Sequence, residues 1–306
     1  MIPLCAPENA KLPTALALGS FDGLHLGHKK VIKAILKEPI GVPTVVSFWP
    51  HPREVLFGES RLRLDLPNEK TFLLEPLGIE QLVLVPFDKN LASKSAETFV
   101  EEILVKTLHA KHIAVGENFR FGRNREGDTS TLKKIGTSLG IKISIVSIVE
   151  DNHGRLSSSR VRKALNEGDL KHAKYLLKRP YTFRGTVEKG RGLGKKIGWP
   201  TANLKIDGRK FLPSLGVYAA WASIANKKER FLAVMNMGPQ PTIDPNSLSA
   251  VEVHILDKEI NLLGHELIVE PVQRIRLQKK FENIEALSKQ ISLDAILAKE
   301  ILTKKL

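Results

Sequence analysis

The most constraining feature of this chain is a glycine-rich turn between an apolar run and an amphipathic stretch. Residues 19–28 read GSFDGLHLGH. The four residues before them are all apolar, as in a strand that is buried on both faces. After them, apolar residues recur at helical spacing, namely Val31, Ile32, Ala34 and Ile35. The pattern predicts a crossing from a buried strand to a helix, which is the basic unit of an α/β fold.

This turn has the residues of an anion-binding site. Gly19, Gly23 and Gly27 let the backbone bend sharply and approach a ligand closely. The start of the following helix offers unpaired N–H groups and the positive end of a dipole. A single histidine is more often structural, but His25 and His28 frame a glycine at the same place. We therefore expect both imidazoles to take part in binding an anion.

The chain that follows alternates between strand and helix patterns. Strands are predicted over 44–48, 81–85, 112–115 and 142–149, with helices over 68–78 and 95–108. Such alternation predicts a parallel sheet with helices on both faces and right-handed crossovers. Ligands of these folds bind at the carboxyl ends of the strands. Two such ends carry polar and aromatic residues: residues 49–52 read WPHP and residues 116–122 read GENFRFG.

Each of these strand ends suggests a different role. His51 stands between two prolines on a stiff turn, where a ligand-side role and a structural role are equally supported. Asn118 and Phe121 are suited to hydrogen-bonding and stacking a flat heterocycle, with a packed aromatic turn as the alternative. Residues 157–162 read SSSRVR and predict a helix start, where hydroxyl, N–H and guanidinium groups can converge on a phosphate. Taken alone, the segment is simply a good helix start.

The pattern changes after about residue 180. Short alternating segments separated by glycine, proline and asparagine turns replace the strand–helix rhythm, at residues 181–187, 217–223, 230–237, 249–256 and 267–272. They predict an antiparallel barrel or sandwich, followed by a charged helix over residues 284–304. We therefore place a boundary at about 180, between a domain over residues 1–180 and a second domain over residues 181–306.

The second domain carries its own chemical signature. Residues 185–204 read GTVEKGRGLGKKIGWPTANL, in which glycines and basic residues predict a phosphate-binding flap. Thr201 and Asn203 follow on an extended segment and offer neutral oxygen ligands for Mg²⁺. Further on, strand alternation places Glu252 and His254 on the face opposite the neighbouring valines. Taken alone, Glu252 is more simply a surface carboxylate.

These motifs resemble known families. The GxFDGxHxGH and SSSRVR segments are similar to the HxGH nucleotidyltransferases, and the PTAN and ExH pair over 200–203 and 252–254 is similar to riboflavin kinases. Both sets in this order resemble the bacterial bifunctional riboflavin kinase/FAD synthetases over nearly the whole chain. The resemblance implies a Rossmann-like FMN adenylyltransferase domain followed by a β-barrel kinase domain, with ATP as co-substrate, Mg²⁺ as metal and riboflavin, FMN and FAD as substrates and products.

The resemblance also implies roles for individual residues. In the first domain, ATP would be bound by Gly19, Phe21, Gly23, His25, His28, Ser158 and Arg162, with the two histidines and Arg162 catalytic, and FMN would lie at Asn118 and Phe121. In the second, Gly190, Gly194, Lys195 and Thr201 would bind ATP, Thr201 and Asn203 would bind the metal, Glu252 would be the general base and Arg276 would contact the flavin. The chain departs from the usual kinase pattern at Lys195, Trp199, Lys258, Leu263 and Gln278.

Composition narrows the remaining alternatives. The net charge of +14 is spread over both halves without an aromatic-interleaved basic patch, so we expect phosphorylated small-molecule substrates rather than nucleic acid. One cysteine, no apolar run of membrane-spanning length and no basic, apolar leader over residues 1–13 indicate a cytoplasmic protein without a membrane anchor. A transferase acting on another cofactor precursor and a flavin- or RNA-binding regulator stay open as alternatives, and so does homo-oligomerisation.

Overall fold

The computed structural model describes residues 1–38, 40–190, 194, 198–238 and 251–304. Contacts between residues divide the chain into two compact units. The first comprises Met1–Arg61 and Asp65–Ser157, and the second comprises Leu62–Leu64 together with the chain from Ser158 onward. Three residues from the first half of the sequence therefore pack within the second unit.

The first unit contains a six-stranded sheet in which every pairing is parallel. Its strands are β1 Leu4–Cys5, β2 Thr14–Leu18, β3 Val42–Trp49, β4 Gln81–Pro86, β5 Ala110–Gly116 and β6 Lys142–Val146. They run in the spatial order β1-β4-β3-β2-β5-β6, so the buried strand β2 lies between β3 and β5. A short antiparallel hairpin follows, formed by β7 Glu150–Asp151 and β8 Gly154–Arg155.

Both faces of this sheet are covered, because successive residues of a strand point to opposite sides. Ala15 and Ala17 of β2 belong to one apolar cluster with Val31, Ile32 and Ile35, whereas Leu16 and Leu18 belong to another cluster on the opposite face. The helices are α1 Leu26–Leu36, α2 Pro52–Phe57, α3 Pro67–Leu74, α4 Lys89–Ser93, α5 Ala96–Thr98, a π-helical stretch over Phe99–Thr107, and α6 Thr129–Ser138. Short 3₁₀ turns lie at Pro7–Asn9, Glu75–Leu77 and Arg123–Arg125.

The parallel α/β architecture predicted from the alternation is confirmed, but the sequence pattern does not predict several of its elements. Strand β1 has two residues, which is too short for a periodic pattern. Helix α2 begins at Pro52, where the two prolines suggested a turn without helix; a proline at the first helical position loses no intrahelical hydrogen bond. Helix α6 is rich in threonine, serine and lysine, and its apolar face is narrow.

The second unit begins with two helices, α7 Ser158–Glu167 and α8 Leu170–Leu177, and continues into a closed antiparallel barrel. The strands of the barrel are β9 Phe183–Glu188, β10 Ala202–Lys205, β11 Gly216–Ile224, β12 Phe231–Met237, β13 Val251–Ile255 and β14 Glu266–Arg276. Their order around the barrel is β10-β13-β12-β11-β14-β9. The predicted antiparallel barrel is thereby confirmed.

The last helix, α9 Ile284–Thr303, covers one outer face of the barrel. Its Ala295, Ala298 and Leu302 pack with Val217 of β11 and Val234 of β12. On β13, Val251 and Val253 are buried, whereas Glu252 and His254 are half-buried, as strand alternation predicted. The side of β13 that carries Glu252 therefore faces outward from the barrel.

Two candidate active sites

The turn between β2 and α1 has an unusual backbone. Phe21, Gly23 and Leu24 all have positive φ angles, of 47°, 89° and 45°. Non-glycine residues adopt this conformation at a cost of about 1–3 kcal/mol each unless packing holds them. Here the Phe21 and Leu24 side chains are each only 1% exposed, and the Gly19 N–H donates to the Val46 carbonyl at 3.1 Å. Burial of two apolar side chains thus stabilises a sharp turn that ends in His25.

The turn stacks two imidazoles at the start of α1. His25 occupies the N-cap position, and its ring lies 3.7 Å from the ring of His28, centroid to centroid, at an interplanar angle of 20°. The edge of Phe21 meets the His28 ring at 5.4 Å between centroids. Among the described residues, neither buried Nδ1 atom has a hydrogen-bond partner. Buried polar atoms are normally paired, so these nitrogens require a partner beyond the described residues, such as water or a ligand.

Both imidazoles are neutral at pH 7. The pKa of His25 is lowered to about 4, by burial first and then by the charge of Arg155, while Asp22 acts in the opposite direction. The pKa of His28 lies well below its usual range, because of burial first and then electrostatic interactions with His25, Lys70 and Arg155. Lys70 and Arg155 therefore contribute positive charge near this turn. Lys70 is buried on α3, where its Nζ donates to the Ser20 carbonyl at 2.7 Å.

The segment after β5 combines an exposed amide with a buried ring. With the amide oxygen of Asn118 turned toward Arg155, it accepts hydrogen bonds from both terminal nitrogens of the guanidinium, at 2.9 and 3.1 Å. Phe121 is only 7% exposed and stacks on Phe119, with 5.4 Å between ring centroids. Asn118 is thus available to a ligand, while Phe121 mainly forms part of the apolar core.

Three other predicted residues have structural contacts. His51 caps α2, since its Nδ1 accepts from the Arg53 N–H at 3.1 Å while its own N–H donates to Glu54 at 2.7 Å. Ser158 is the first residue of α7, and both Ser158 and Arg162 belong to the second unit. The Arg162 guanidinium donates to the Leu62 carbonyl at 3.1 Å.

The barrel unit carries a cavity of about 790 Å³ on the outer wall beside α9. Its wall combines charged and amide side chains with an apolar surface of aliphatic and aromatic residues. The polar lining includes Glu188, Asn203, Asn236, Glu252, His254, Arg276, Gln278 and Asp294, and the apolar lining includes Val217, Val234, Phe281, Leu287 and Ile291. A cavity of this size and mixed character suits a flat aromatic ligand with a polar tail.

The polar groups of this cavity form a row across neighbouring strands. Asn203 of β10 lies opposite Glu188 of β9 on one side and opposite Glu252 of β13 on the other. Glu252 in turn lies opposite Asn236 of β12. Side chains at opposite positions of an antiparallel pair are neighbours on the same face. The register therefore places two carboxylates beside the predicted metal ligand Asn203.

The chain before β10 passes very close to this row. A Cβ atom added to Gly190 would lie 2.0 Å from Asn203 Nδ2, and one added to Gly194 would lie 2.3 Å from the Trp199 carbonyl oxygen and 3.3 Å from Thr201 Oγ1. Glycine at these positions leaves the side chains of Thr201 and Asn203 clear of steric conflict. Neutral oxygens beside carboxylates suit Mg²⁺, so the residues present fit this metal. Lys195, the remaining predicted ATP contact, lies outside the described residues.

Arg276 is held by an ion pair with the C-terminal helix. Its Nε lies 3.0 Å from both carboxylate oxygens of Asp294, and its Nη2 donates to Asp294 Oδ2 at 2.8 Å. Gln290 Nε2 donates to the same carboxylate at 3.0 Å. Asp294 is 2% exposed, and a carboxylate is rarely buried so fully without such partners. The pair fixes Arg276, the predicted flavin contact, in the wall of the cavity.

The sequence reading did not identify several charged residues at the two sites. Lys70 and Arg155 influence the imidazoles, and Glu188 and Asp294 line the cavity. None of the four lies within a motif that signalled its role; Glu188 falls inside the glycine-rich segment but was not singled out. Only the chain fold brings Lys70 and Arg155 toward a turn that lies more than forty residues earlier in the sequence.

Comparison with known proteins assigns both units. A family model described as FAD synthetase matches residues 8–160, and one described as riboflavin kinase matches residues 177–302. A solved structure titled as a macrolide-efflux protein from Streptococcus pneumoniae has a TM-score of 0.82 and 30% identity, with 97% of this chain and 98% of that chain covered. Within the ranges that the structure describes, no helix is both long enough and apolar enough to cross a membrane.

Several curated relatives carry the same name. Proteins called bifunctional riboflavin kinase/FMN adenylyltransferase are 35% identical in Haemophilus influenzae, with 93% of each chain covered, and 36% identical in Escherichia coli K12, with 93% of this chain and 91% of the relative covered. The relative from Listeria monocytogenes is 32% identical over 95% of this chain and 93% of its own length. The chain therefore belongs to the bifunctional riboflavin kinase/FMN adenylyltransferases, enzymes that convert riboflavin to FMN and FMN to FAD.

Proposed function

We propose that the two reactions use separate sites: riboflavin is phosphorylated in the barrel cavity, and FMN is adenylylated at the turn between β2 and α1. The observation that carries this assignment is the register of the barrel. It sets Glu252 directly opposite Asn203 in a cavity large enough for a flavin. A base and a metal ligand side by side are what transfer of a phosphoryl group to a hydroxyl requires.

In the kinase reaction, Glu252 accepts the proton of the ribityl hydroxyl. The hydroxyl oxygen then forms a bond to the γ-phosphorus of ATP, and the bond from that phosphorus to the bridging oxygen breaks and releases ADP. Thr201 and Asn203 would hold Mg²⁺, which neutralises phosphate charge when it is bound. Gly190, Gly194 and Lys195 would lie beside the nucleotide phosphates and bind them. Arg276, fixed by Asp294, would contact the flavin.

In the adenylylation reaction, a phosphate oxygen of FMN attacks the α-phosphorus of ATP, and pyrophosphate leaves. This oxygen is already anionic, so no protein base is needed and the site works by positioning and charge stabilisation. Neutral His25 and His28 would donate N–H groups to the phosphates beside the start of α1. Lys70 and Arg155 supply the nearby positive charge, and Asn118 is the polar contact for the flavin.

The remaining predicted contacts of the adenylylation site belong to the same proposal. Gly19, Phe21 and Gly23 would shape the turn around the triphosphate. Ser158 and Arg162 would add a hydroxyl and a guanidinium to it, on the strength of their resemblance to the second nucleotidyltransferase signature. Phe121 would support the flavin pocket from the core. A cytoplasmic location and the use of Mg²⁺ belong to this proposal as well.

The test is a crossover between two variants and two assays. Glu252→Gln should lower phosphorylation of riboflavin by about 10²–10⁴-fold, the usual contribution of a general base, and should leave adenylylation of supplied FMN unchanged. His28→Ala should lower adenylylation by about 10²–10³-fold, the usual effect of removing a charge-stabilising donor, while FMN still accumulates from riboflavin. Both variants are first checked for native folding. Loss of both activities in either folded variant contradicts the assignment to separate sites.

A further inference from the structure

The metal-binding segment of the barrel is held at one end by a side chain from the facing strand. The His254 ring places Nδ1 2.6 Å from the carbonyl oxygen of Pro200, the residue before Thr201. Its ring also meets the edge of Trp199, at 5.1 Å between centroids and an interplanar angle of 73°. On the other side, the Trp199 N–H donates to the Gly194 carbonyl at 2.8 Å.

The location of this hydrogen bond is informative. The backbone pairing of β10 with β13 starts at Ala202, which lies opposite Val253. One step further, Thr201 comes opposite His254, but Thr201 lies outside the strand and is exposed. Pro200 has no N–H, so its carbonyl is its one backbone group that can form a hydrogen bond. The His254 side chain thus replaces the backbone pairing at the point where that pairing stops.

The chemistry of the contact fixes the state of the ring. A carbonyl oxygen only accepts hydrogen bonds, so Nδ1 of His254 must carry the proton. The donor to Pro200 is therefore the nitrogen attached directly to Cγ, and an asparagine amide nitrogen occupies the same position relative to the backbone.

We infer that His254 is a positioning residue for the kinase reaction, which holds the Pro200 carbonyl and thereby sets Thr201 Oγ1 at the metal position. This inference rests on the proposed role of Thr201 and Asn203. Mg²⁺ demands near-ideal octahedral geometry at about 2.0–2.1 Å, so its binding is sensitive to small displacements of a ligand. Groups that orient metal ligands typically change metal affinity or activity by about 10–100-fold when they are lost.

Three substitutions distinguish positioning from a general structural role. His254→Asn keeps an N–H donor at the Nδ1 position, His254→Gln moves the donor outward to the Nε2 position, and His254→Ala removes it. In the full chain, His254→Ala and His254→Gln should each raise the Mg²⁺ concentration for half-maximal riboflavin phosphorylation by about 10-fold or more. His254→Asn should restore it to within about 3-fold of the native value. The adenylylation of supplied FMN should stay unchanged.

A second measurement is independent of turnover. Nitrogen-15 NMR of histidine-labelled protein, with His254 assigned by its loss in His254→Asn, should show the tautomer protonated at Nδ1. If His254→Ala does not fold, the asparagine and glutamine variants still carry the kinetic comparison. Equal behaviour of those two variants, native Mg²⁺ dependence in a folded alanine variant, or a ring protonated at Nε2 overturns the inference.

Thr201→Ala separates this inference from the proposal beneath it. If Thr201→Ala loses Mg²⁺ affinity while the His254 variants keep it, the metal site stands and the positioning role of His254 is refuted. If Thr201→Ala itself keeps native Mg²⁺ dependence, the proposed metal site fails and the inference fails with it. If both the proposal and the inference hold, Thr201→Ala and His254→Ala should both raise the Mg²⁺ concentration that half-maximal phosphorylation requires.

Discussion

The two sites are built in opposite ways. At the turn between β2 and α1, the imidazoles of His25 and His28 lie three residues apart on one continuous backbone, and they are buried and stacked. In the barrel cavity, Asn203 and Glu252 come from different strands and meet through register on an open outer wall. The functional groups of the turn are neighbours in the sequence, whereas those of the barrel are distant in the sequence and become neighbours only in the folded structure. The turn is thus defined by backbone shape, and the cavity by pairing of strands.

This difference predicts where each site is fragile. The turn depends on burial, since Phe21 and Leu24 hold its backbone and desolvation keeps its imidazoles neutral. The cavity depends on close approach of the backbone, since Gly190 leaves space for the side chain of Asn203. Changes in protonation should therefore affect the first unit, and changes in volume should affect the kinase site.

Among changes in volume, the largest expected effect comes from Gly190→Ala. Its new Cβ would overlap the amide of Asn203 at 2.0 Å, so either the side chain or the backbone must move. Displacement of a reacting group by about 1 Å can cost about 10²-fold in rate, and we expect phosphorylation of riboflavin to fall by about that factor. Adenylylation of supplied FMN in the same preparation is the internal control. Native kinase activity in this variant would show that Asn203 does not act from its observed position.

A smaller effect is expected from acid. The pKa of His25 is about 4 in the folded chain and about 6.5 when unfolded. Between these pH values the unfolded state binds more protons than the folded state. The contribution of neutral His25 to the free energy of unfolding is therefore fully present above about pH 6.5, and it falls as the pH is lowered toward 4. At pH 5 this one group destabilises the first unit by about 2 kcal/mol. His28 acts in the same direction, because its pKa is lowered too.

Hydrogen exchange with mass spectrometry, corrected for intrinsic rates, measures this loss segment by segment in the full chain. Exchange in β2 and α1 should accelerate between pH 7 and pH 5, and the barrel strands should change less. His25→Asn should reduce the pH dependence, whereas substitution of His153, an exposed histidine of the same unit, should not. A pH dependence that His25→Asn leaves intact would show that this ring is not the group responsible.

The contrast also explains what the sequence could reveal. The residues of the turn are contiguous, so glycines, histidines and helical periodicity could all be recognised together. In the barrel, Thr201, Asn203 and Glu252 were identified through motifs, but Glu188, on the other side of Asn203, was not. Glu188 and Asp294 appear as ordinary surface residues in the sequence. Register and the packing of α9 place them at the cavity, and neither follows from local residue patterns.

The boundaries of the kinase unit also could not be predicted fully from local residue patterns. The change of pattern near residue 180 predicted a boundary there, and the family models end and begin at residues 160 and 177. By contacts, α7, α8 and Leu62–Leu64 group with the barrel. The side chain of Lys210 is fully buried, and its Nζ donates to the Leu64 carbonyl at 2.6 Å and to the Thr182 carbonyl at 3.2 Å. A buried ammonium group needs such acceptors, and Leu64 is distant in sequence.

The smallest expected effect therefore concerns a kinase fragment. A fragment over residues 158–306 should fold and phosphorylate riboflavin, but it lacks the Leu64 carbonyl that Lys210 contacts in the full chain. A hydrogen bond to a charged group contributes about 1.5 kcal/mol or more, and the fragment also loses the backbone hydrogen bonds of Arg63 and the buried Leu64 side chain. We therefore expect the fragment to be less stable than the same unit in the full chain by at least that amount. Denaturant unfolding, followed by the fluorescence of Trp199 and Trp221, compares the two.

Lys210→Met provides the matched control, because it removes the charge and keeps an unbranched side chain of similar length. In the fragment this substitution should cost less than in the full chain, since one of the partners of Lys210 is already gone. Equal losses in both backgrounds would mean that the Leu64 contact contributes nothing to the unit. A fragment over residues 181–306 drops α7 and α8 as well, and it should be less stable than the longer fragment, since α8 packs against β14. Equal stability of the two fragments would instead place the start of the independently folding kinase unit at residue 181.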